Sequence, residues 1–150
     1  MLALLSSNKL WIWRFLVAEA IVYLAVARAL ITLVPFRYWR RGLGSVSARN
    51  QFAQNEGVPE PALRIAQAVN RGARYLPLAS VCLPRAMAVQ WMCARRGYST
   101  ELVFGVQPGG LANGQAALHA WVEYDGVTFI GQDDKREYHR NLALKKAGRL

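Results

Sequence analysis

Cysteine and histidine are scarce in this chain: two of each in 150 residues. A zinc ribbon needs four ligands per site and a disulfide scaffold several bridges, so both are excluded. Acid is scarce too, with nine Asp and Glu against nineteen Lys and Arg and a net charge of +10. No carboxylate falls between Glu19 and Glu56, and residues 61–100 carry six arginines without an acid. Internal repeats and low-complexity tracts are absent. So are a reader-helix pattern, an aromatic-basic strand motif and a zinc signature, and nothing specifies nucleic acid. What is abundant is apolar: 53% of residues. That is too apolar for a disordered basic tail and enough for the core of one domain, two at most. The excess charge suits an anionic partner: nucleic acid, lipid headgroups or an acidic polypeptide.

Residues 10–34, LWIWRFLVAEAIVYLAVARALITLV, are long and apolar. Arg14, Glu19 and Arg28 interrupt them, and no charge-free run exceeds eight residues. A spanning helix wants about 20 apolar residues with few charges. At 100° per residue Arg14, Ile21, Ala25, Arg28 and Thr32 share a small-and-basic stripe, with Glu19 well away from it. Two readings stay open. One is a long core or subunit-interface helix. The other is a helix lying on a membrane, with Trp11, Trp13 and Trp39 at headgroup level and Arg37, Arg40 and Arg41 beside anionic lipid. A cleaved signal peptide ending at Ala25-Val26-Ala27 fits less well, because Glu19 falls inside its apolar region.

Pro35 stops the helix. Gly42-Leu43-Gly44-Ser45 reads as a flexible link, and polar residues 47–57 follow it. A second helix is expected over 61–74, and a third over 83–96, with Pro84 in its first turn and Gly97 just past its end. The period then turns from helical to alternating. Residues 100–106 and 117–124 read as strands, joined by a loop over 107–115. Asp125-Gly126 is a strong hairpin signal, returning the chain as a strand over 127–130. The charged residues 135–150 are expected to form a closing helix with a frayed end.

Cys82 sits at the mouth of the third helix, where unpaired amides and the helix dipole favour a thiolate. Pro84 has no N–H, so the amides of Cys82 and Leu83 are the donors open to a developing oxyanion. Arg85, one turn in, adds positive potential. Cys93 lies further along the same helix without a terminus beside it and reads as core. Two such cysteines fit a reducing compartment. His119 is the first candidate base, sharing a strand face with Trp121 and Glu123; His139, in the charged tail, is the other. In an unbroken ladder, closing the hairpin with Asp125-Gly126 sets Gln132 opposite His119, with Asp133 and Asp134 within one or two positions. Gln132 and Asp134 then share the His119 face, and a bulge at Gly131 would bring Asp133 round.

The segments Cys82-Leu83-Pro84-Arg85-Ala86, Arg95-Arg96-Gly97-Tyr98, Phe104-Gly105-Val106 and His119-Ala120-Trp121-Val122-Glu123-Tyr124-Asp125-Gly126 together resemble the transglutaminase-like cysteine peptidases. Within them they are most similar to the lasso-peptide leader peptidases. The resemblance implies an α+β fold, with N-terminal helices ahead of a papain-like core whose catalytic cysteine opens a helix packed on a small antiparallel sheet. Residues 1–44 would be an apolar helix and link, and 45–150 the peptidase domain. The implied triad is Cys82 as nucleophile, His119 as base and then acid, and Asp133 as orienting acid, with Asp134 as the alternative. At the family's usual spacing this chain has Gly131 and Gln132, and the two aspartates stand just beyond. Trp121 and Arg85 are the candidate substrate contacts, and no metal or cofactor is implied.

The implied partners are a precursor leader peptide, a separate leader-recognition protein, and an asparagine-synthetase-like cyclase that uses ATP. The first 60 residues hold one long helix and a link, so no fused leader-recognition domain is expected. A bacterial cytoplasmic location follows, with peripheral membrane contact through the N-terminal helix as a further option. Two other classes remain: a basic adaptor for anionic membrane or nucleic acid, and a Cys-His-Asp acyltransferase or transglutaminase.

Overall fold

A computed structural model describes residues 2–46, 57–77, 82–106, 118–131 and 139–148. The apolar N-terminal stretch forms one helix, α1 (Leu2–Leu33), whose part Lys9–Leu33 is long and apolar enough to cross a membrane by length and composition. Along one side Ala20, Leu24 and Ala27 are completely buried, with Trp13, Leu16, Val17 and Ile31 packed beside them. The opposite side is exposed. Past Pro35 the chain makes α2 (Phe36–Trp39) and a 3-10 turn (Arg40–Leu43). Trp39 is buried and its Nε1 donates to the Val34 carbonyl at 2.9 Å, so it does not stand at a headgroup level.

The flexible link expected at residues 42–45 is instead packed. Leu43 is fully buried, and the Gly42 carbonyl accepts from Trp91 Nε1 at 3.1 Å and Lys146 Nζ at 2.6 Å. Ser45–Val46 forms a short strand, β1. Glycine supplied the turn there, but a buried leucine between the glycines anchors it.

The second and third helices fall where expected, as α3 (Glu60–Ala73) and α4 (Cys82–Arg95). In α3 the residues Ala62, Ile65, Ala66, Val69 and Ala73 recur at helical spacing and are buried. Gly72 lets α1 come close: a methyl there would stand 3.2 Å from Ile21 Cγ1. Both helices pack on α1 and on each other. In α4 the core side is Ala86, Met87, Val89, Met92 and Cys93. Gly97, at φ +86°, ends it: Tyr98 N donates to the Cys93 carbonyl at 3.0 Å and Gly97 N to the Ala94 carbonyl at 3.2 Å.

The strands β2 (Thr100–Val106), β3 (Leu118–Tyr124), β4 (Val127–Ile130) and β5 (His139–Lys146) join β1 in an antiparallel sheet of order β1-β5-β2-β3-β4. Leu102, Ala120, Val122, Ile130 and Leu144 face the helices and complete the core. Asp125 and Gly126 make the hairpin turn, with φ of 47° and 83°.

Two expectations fail here. The closing helix over the tail is replaced by β5, which fills the place between β1 and β2. Leu, Ala and Lys favour a helix by only tenths of a kcal/mol each, roughly, whereas an unpaired β2 edge would leave a whole row of backbone groups without partners. The expected unbroken hairpin also breaks. Tyr124 pairs Val127 and Glu123 pairs Thr128, but Val122 pairs Ile130, so Phe129 is bulged. The count that set Gln132 opposite His119 loses its basis after the second rung from the turn. The expected 107–115 loop lies outside the described residues.

Candidate active site

Gly97 folds the chain back so that β2 runs antiparallel to α4, which packs on both β2 and β3. The 14 residues of α4 span about 21 Å and the seven of β2 about 23 Å. The start of the helix therefore comes level with the end of the strand. At that end Gly105 pairs with His119 on one side and with Arg140 on the other. Cys82, the first residue of α4, and His119, the second of β3, thus stand at the same rim of the sheet. Two residues 37 positions apart in sequence are brought there by one helix and one hairpin.

Cys82 is half-buried and free. Leu83 and Arg85 beside it are half-buried, and Arg85 Nε is enclosed without a hydrogen-bond partner among the described residues. Cys93 is the core residue it was read to be. It is fully buried, and loss of solvent pushes its thiol up to about 12, partly opposed by the nearby Arg96 charge. Arg96 is itself pushed up, chiefly by its hydrogen bond to Glu19, whose Oε2 is 2.5 Å from Arg96 Nη2.

His119 is half-buried, and its Nε2 lies 2.5 Å from the main-chain oxygen of Gly131. A carbonyl oxygen only accepts, so Nε2 carries the proton and, in the neutral ring, the lone pair is on Nδ1. Alternation turns His119, Trp121 and Glu123 away from the helices that Ala120 and Val122 face. Trp121 stacks on the imidazole with centroids 6.0 Å apart, and its Nε1 donates to Glu123 Oε1 at 2.7 Å. Glu123 is buried. The indole, expected to meet substrate, is engaged with these two neighbours.

Gly131 meets His119 through its backbone, a contact that the sequence reading of it as a bulge did not foresee. Its φ is +82°, and a methyl there would stand 2.9 Å from both the Ala120 oxygen and Trp121 Cβ. Only glycine carries a carbonyl this close to β3 without displacing it. The nearest signal in sequence was the glycine at the end of a short strand. His139, read as a solvated tail residue, belongs to β5 and pairs with Val106 at the same rim as His119. Asp133 and Asp134 lie outside the described residues. Two open grooves among the described residues are elsewhere, one bounded by Tyr23, Trp91, Arg95 and Lys146, the other by Phe15, Glu19, Pro61 and Arg64.

Most of the chain, from within α1 to within β5, is matched by a family model. The model, for the transglutaminase-like superfamily, covers residues 23–143. The chain belongs to that superfamily. No curated protein and no solved structure matches it. The transglutaminase-like match begins inside α1 and ends inside β5, so it includes the helix mouth, the hairpin and the tail strand. It accounts for the mixed helix-and-sheet architecture.

Proposed function

We propose that the chain is a cysteine peptidase that removes the leader peptide from a ribosomally made lasso-peptide precursor. Cys82 Sγ attacks the scissile carbonyl carbon and the thiol proton passes to the His119 imidazole. The oxyanion takes hydrogen bonds from the amides of Cys82 and Leu83, which a helix start leaves without internal acceptors. The imidazolium then protonates the leaving amine, and water, deprotonated by the same ring, cleaves the thioester and restores the thiol. The body of the sheet separates the His119 face from α4, so this reading requires the ring to reach the thiol past the end of the ladder.

Asp133 is the proposed orienting acid, with Asp134 as the alternative. The bulge at Phe129 removes the register count that set Gln132 opposite His119. Arg85 is the proposed contact for the substrate's carbonyl groups. The leader is held by a separate recognition protein, which raises the local concentration of a flexible substrate. An asparagine-synthetase-like cyclase, using ATP in the bacterial cytoplasm, closes the ring afterwards.

The observation that carries the reading is Cys82 at the first residue of α4 with His119 at the same rim. The choice of lasso precursor within the superfamily rests on the resemblance of the residues around Cys82 and His119. The test is mass spectrometry of the precursor incubated with this protein and its leader-binding partner. Free leader is expected with the wild type, and Cys82→Ala and His119→Ala are each expected to lose at least about a thousandfold in rate. Unaltered cleavage in either variant overturns the assignment. A second reading, acyl transfer to an amine, is favoured by the superfamily match itself. An added primary amine appearing in the product in place of water would decide for it.

A further inference from the structure

The helix α1 is apolar on two opposite sides, and only one of them is buried. At 100° per residue Trp11, Phe15, Ala18, Val22, Val26, Ala29 and Leu33 fall on one stripe, diametrically across from Ala20, Leu24 and Ala27. That stripe carries no charge and stands in solvent: Trp11 is 54% exposed, Phe15 69%, Val22 61% and Leu33 79%. It runs about 33 Å from Trp11 to Leu33 at the helical rise. An uninterrupted apolar face of this length on a protein surface marks an interaction site.

Charge selects what covers it. Lys9 and Arg14 on α1, and Arg37, Arg40 and Arg41 just after it, are all exposed. Arg14 lies over the Trp11 ring at 5.1 Å and Arg37 over the Tyr38 ring at 4.6 Å, pairing cations with aromatic faces at both ends of the stripe. The one acid between residues 9 and 46, Glu19, is taken up by Arg95 and Arg96. A second copy of a chain with a net charge of +10 would bring like charges together along this rim. An anionic lipid surface brings the opposite charge together with an apolar layer beneath it.

We propose that α1 lies in the headgroup layer of an anionic bilayer, with Trp11, Phe15, Val22 and Leu33 turned into the acyl boundary and the flanking arginines on lipid phosphates. The helix lies along the membrane and does not cross it. Crossing would strip Ala20, Leu24 and Ala27 from α3 and α4 and break the Glu19–Arg96 pair. Of the tryptophans considered for this role, Trp11 alone serves it, because Trp39 is buried and Trp13 packs on the core. This inference stands apart from the peptidase reading.

The test is co-sedimentation of the full chain with vesicles of phosphatidylcholine alone and of phosphatidylcholine with phosphatidylglycerol. The wild type is expected to bind the anionic vesicles at least tenfold more tightly. F15E/V22E is expected to lose at least tenfold of that binding while its circular dichroism and melting stay those of the wild type; R37A/R40A/R41A is expected to weaken binding and flatten its salt dependence. Equal binding of F15E/V22E and wild type, or no binding to anionic vesicles, overturns the proposal. So does a wild-type dimer in light scattering that F15E/V22E converts to monomer, since a second copy would then own the face.

Discussion

His119 Nε2 lies against the Gly131 carbonyl at 2.5 Å, so a backbone group of the neighbouring chain segment decides which ring nitrogen keeps its proton. The same glycine sits where a side chain would collide with Ala120 and Trp121. Orientation of the candidate base is therefore tied to a residue whose own side chain does nothing. Nitrogen-detected NMR of the neutral protein is expected to show His119 as the Nε2–H tautomer. Gly131→Ala is expected to cost about 1–3 kcal/mol through positive φ and crowding, and to lower the rate further by moving the carbonyl. A variant with wild-type melting and turnover would remove Gly131 from the site.

The two cysteines are expected to separate chemically. Cys82 is half-buried at a helix mouth and Cys93 fully buried among apolar side chains. Iodoacetamide added to the folded protein at mildly alkaline pH should label Cys82 faster by roughly tenfold or more, as mapped by peptide mass spectrometry. In denaturant the two rates should converge.

Cys93 also predicts an alkaline weakness. Its thiol titrates at about 12 in the fold against an ordinary value of 9.0, because burial disfavours the thiolate. Between those values the unfolded chain releases a proton that the folded chain keeps. Stability therefore falls as pH rises through that window, with a slope of up to about 1.4 kcal/mol per pH unit, and below pH 9 this group contributes no dependence. Denaturant melts of wild type and Cys93→Ala across pH 8–11 should show a shallower fall in the variant.

Glu19 joins α1 to the C-terminal turn of α4 through Arg95 and Arg96. Arg96 is partly exposed, so the pair is worth less than its short contact suggests. Glu19→Gln is expected to cost about 1 kcal/mol, and the loss should shrink in high salt. A loss of that size unchanged by salt would assign it to packing instead.

Much of the fold was readable because its signals are local. Pro35, Pro84 and Gly97 bound helices at the expected places, and Asp125-Gly126 closes the hairpin, since each acts through its own φ or missing amide. The residues about 42–45 misled for the same reason: two glycines read as freedom, while the packing of Leu43 and the bonds to the Gly42 carbonyl come from elements far away in sequence. The tail misled because helix propensity is a weak preference that a waiting strand edge overrides.

Sequence alone determined which residues are candidates for chemistry, because a cysteine opening a proline-marked helix and a histidine in an alternating strand are properties of short segments. Tertiary structure decided where they stand. The matched lengths of α4 and β2 set Cys82 and His119 at one rim. The bulge at Phe129 broke the count that paired Gln132 with His119, and the Gly131 carbonyl chose the tautomer. It also decided which side of α1 is core and which is left bare. A helix apolar all round has no preferred face of its own, and only the partners that bury one side reveal what the other is for.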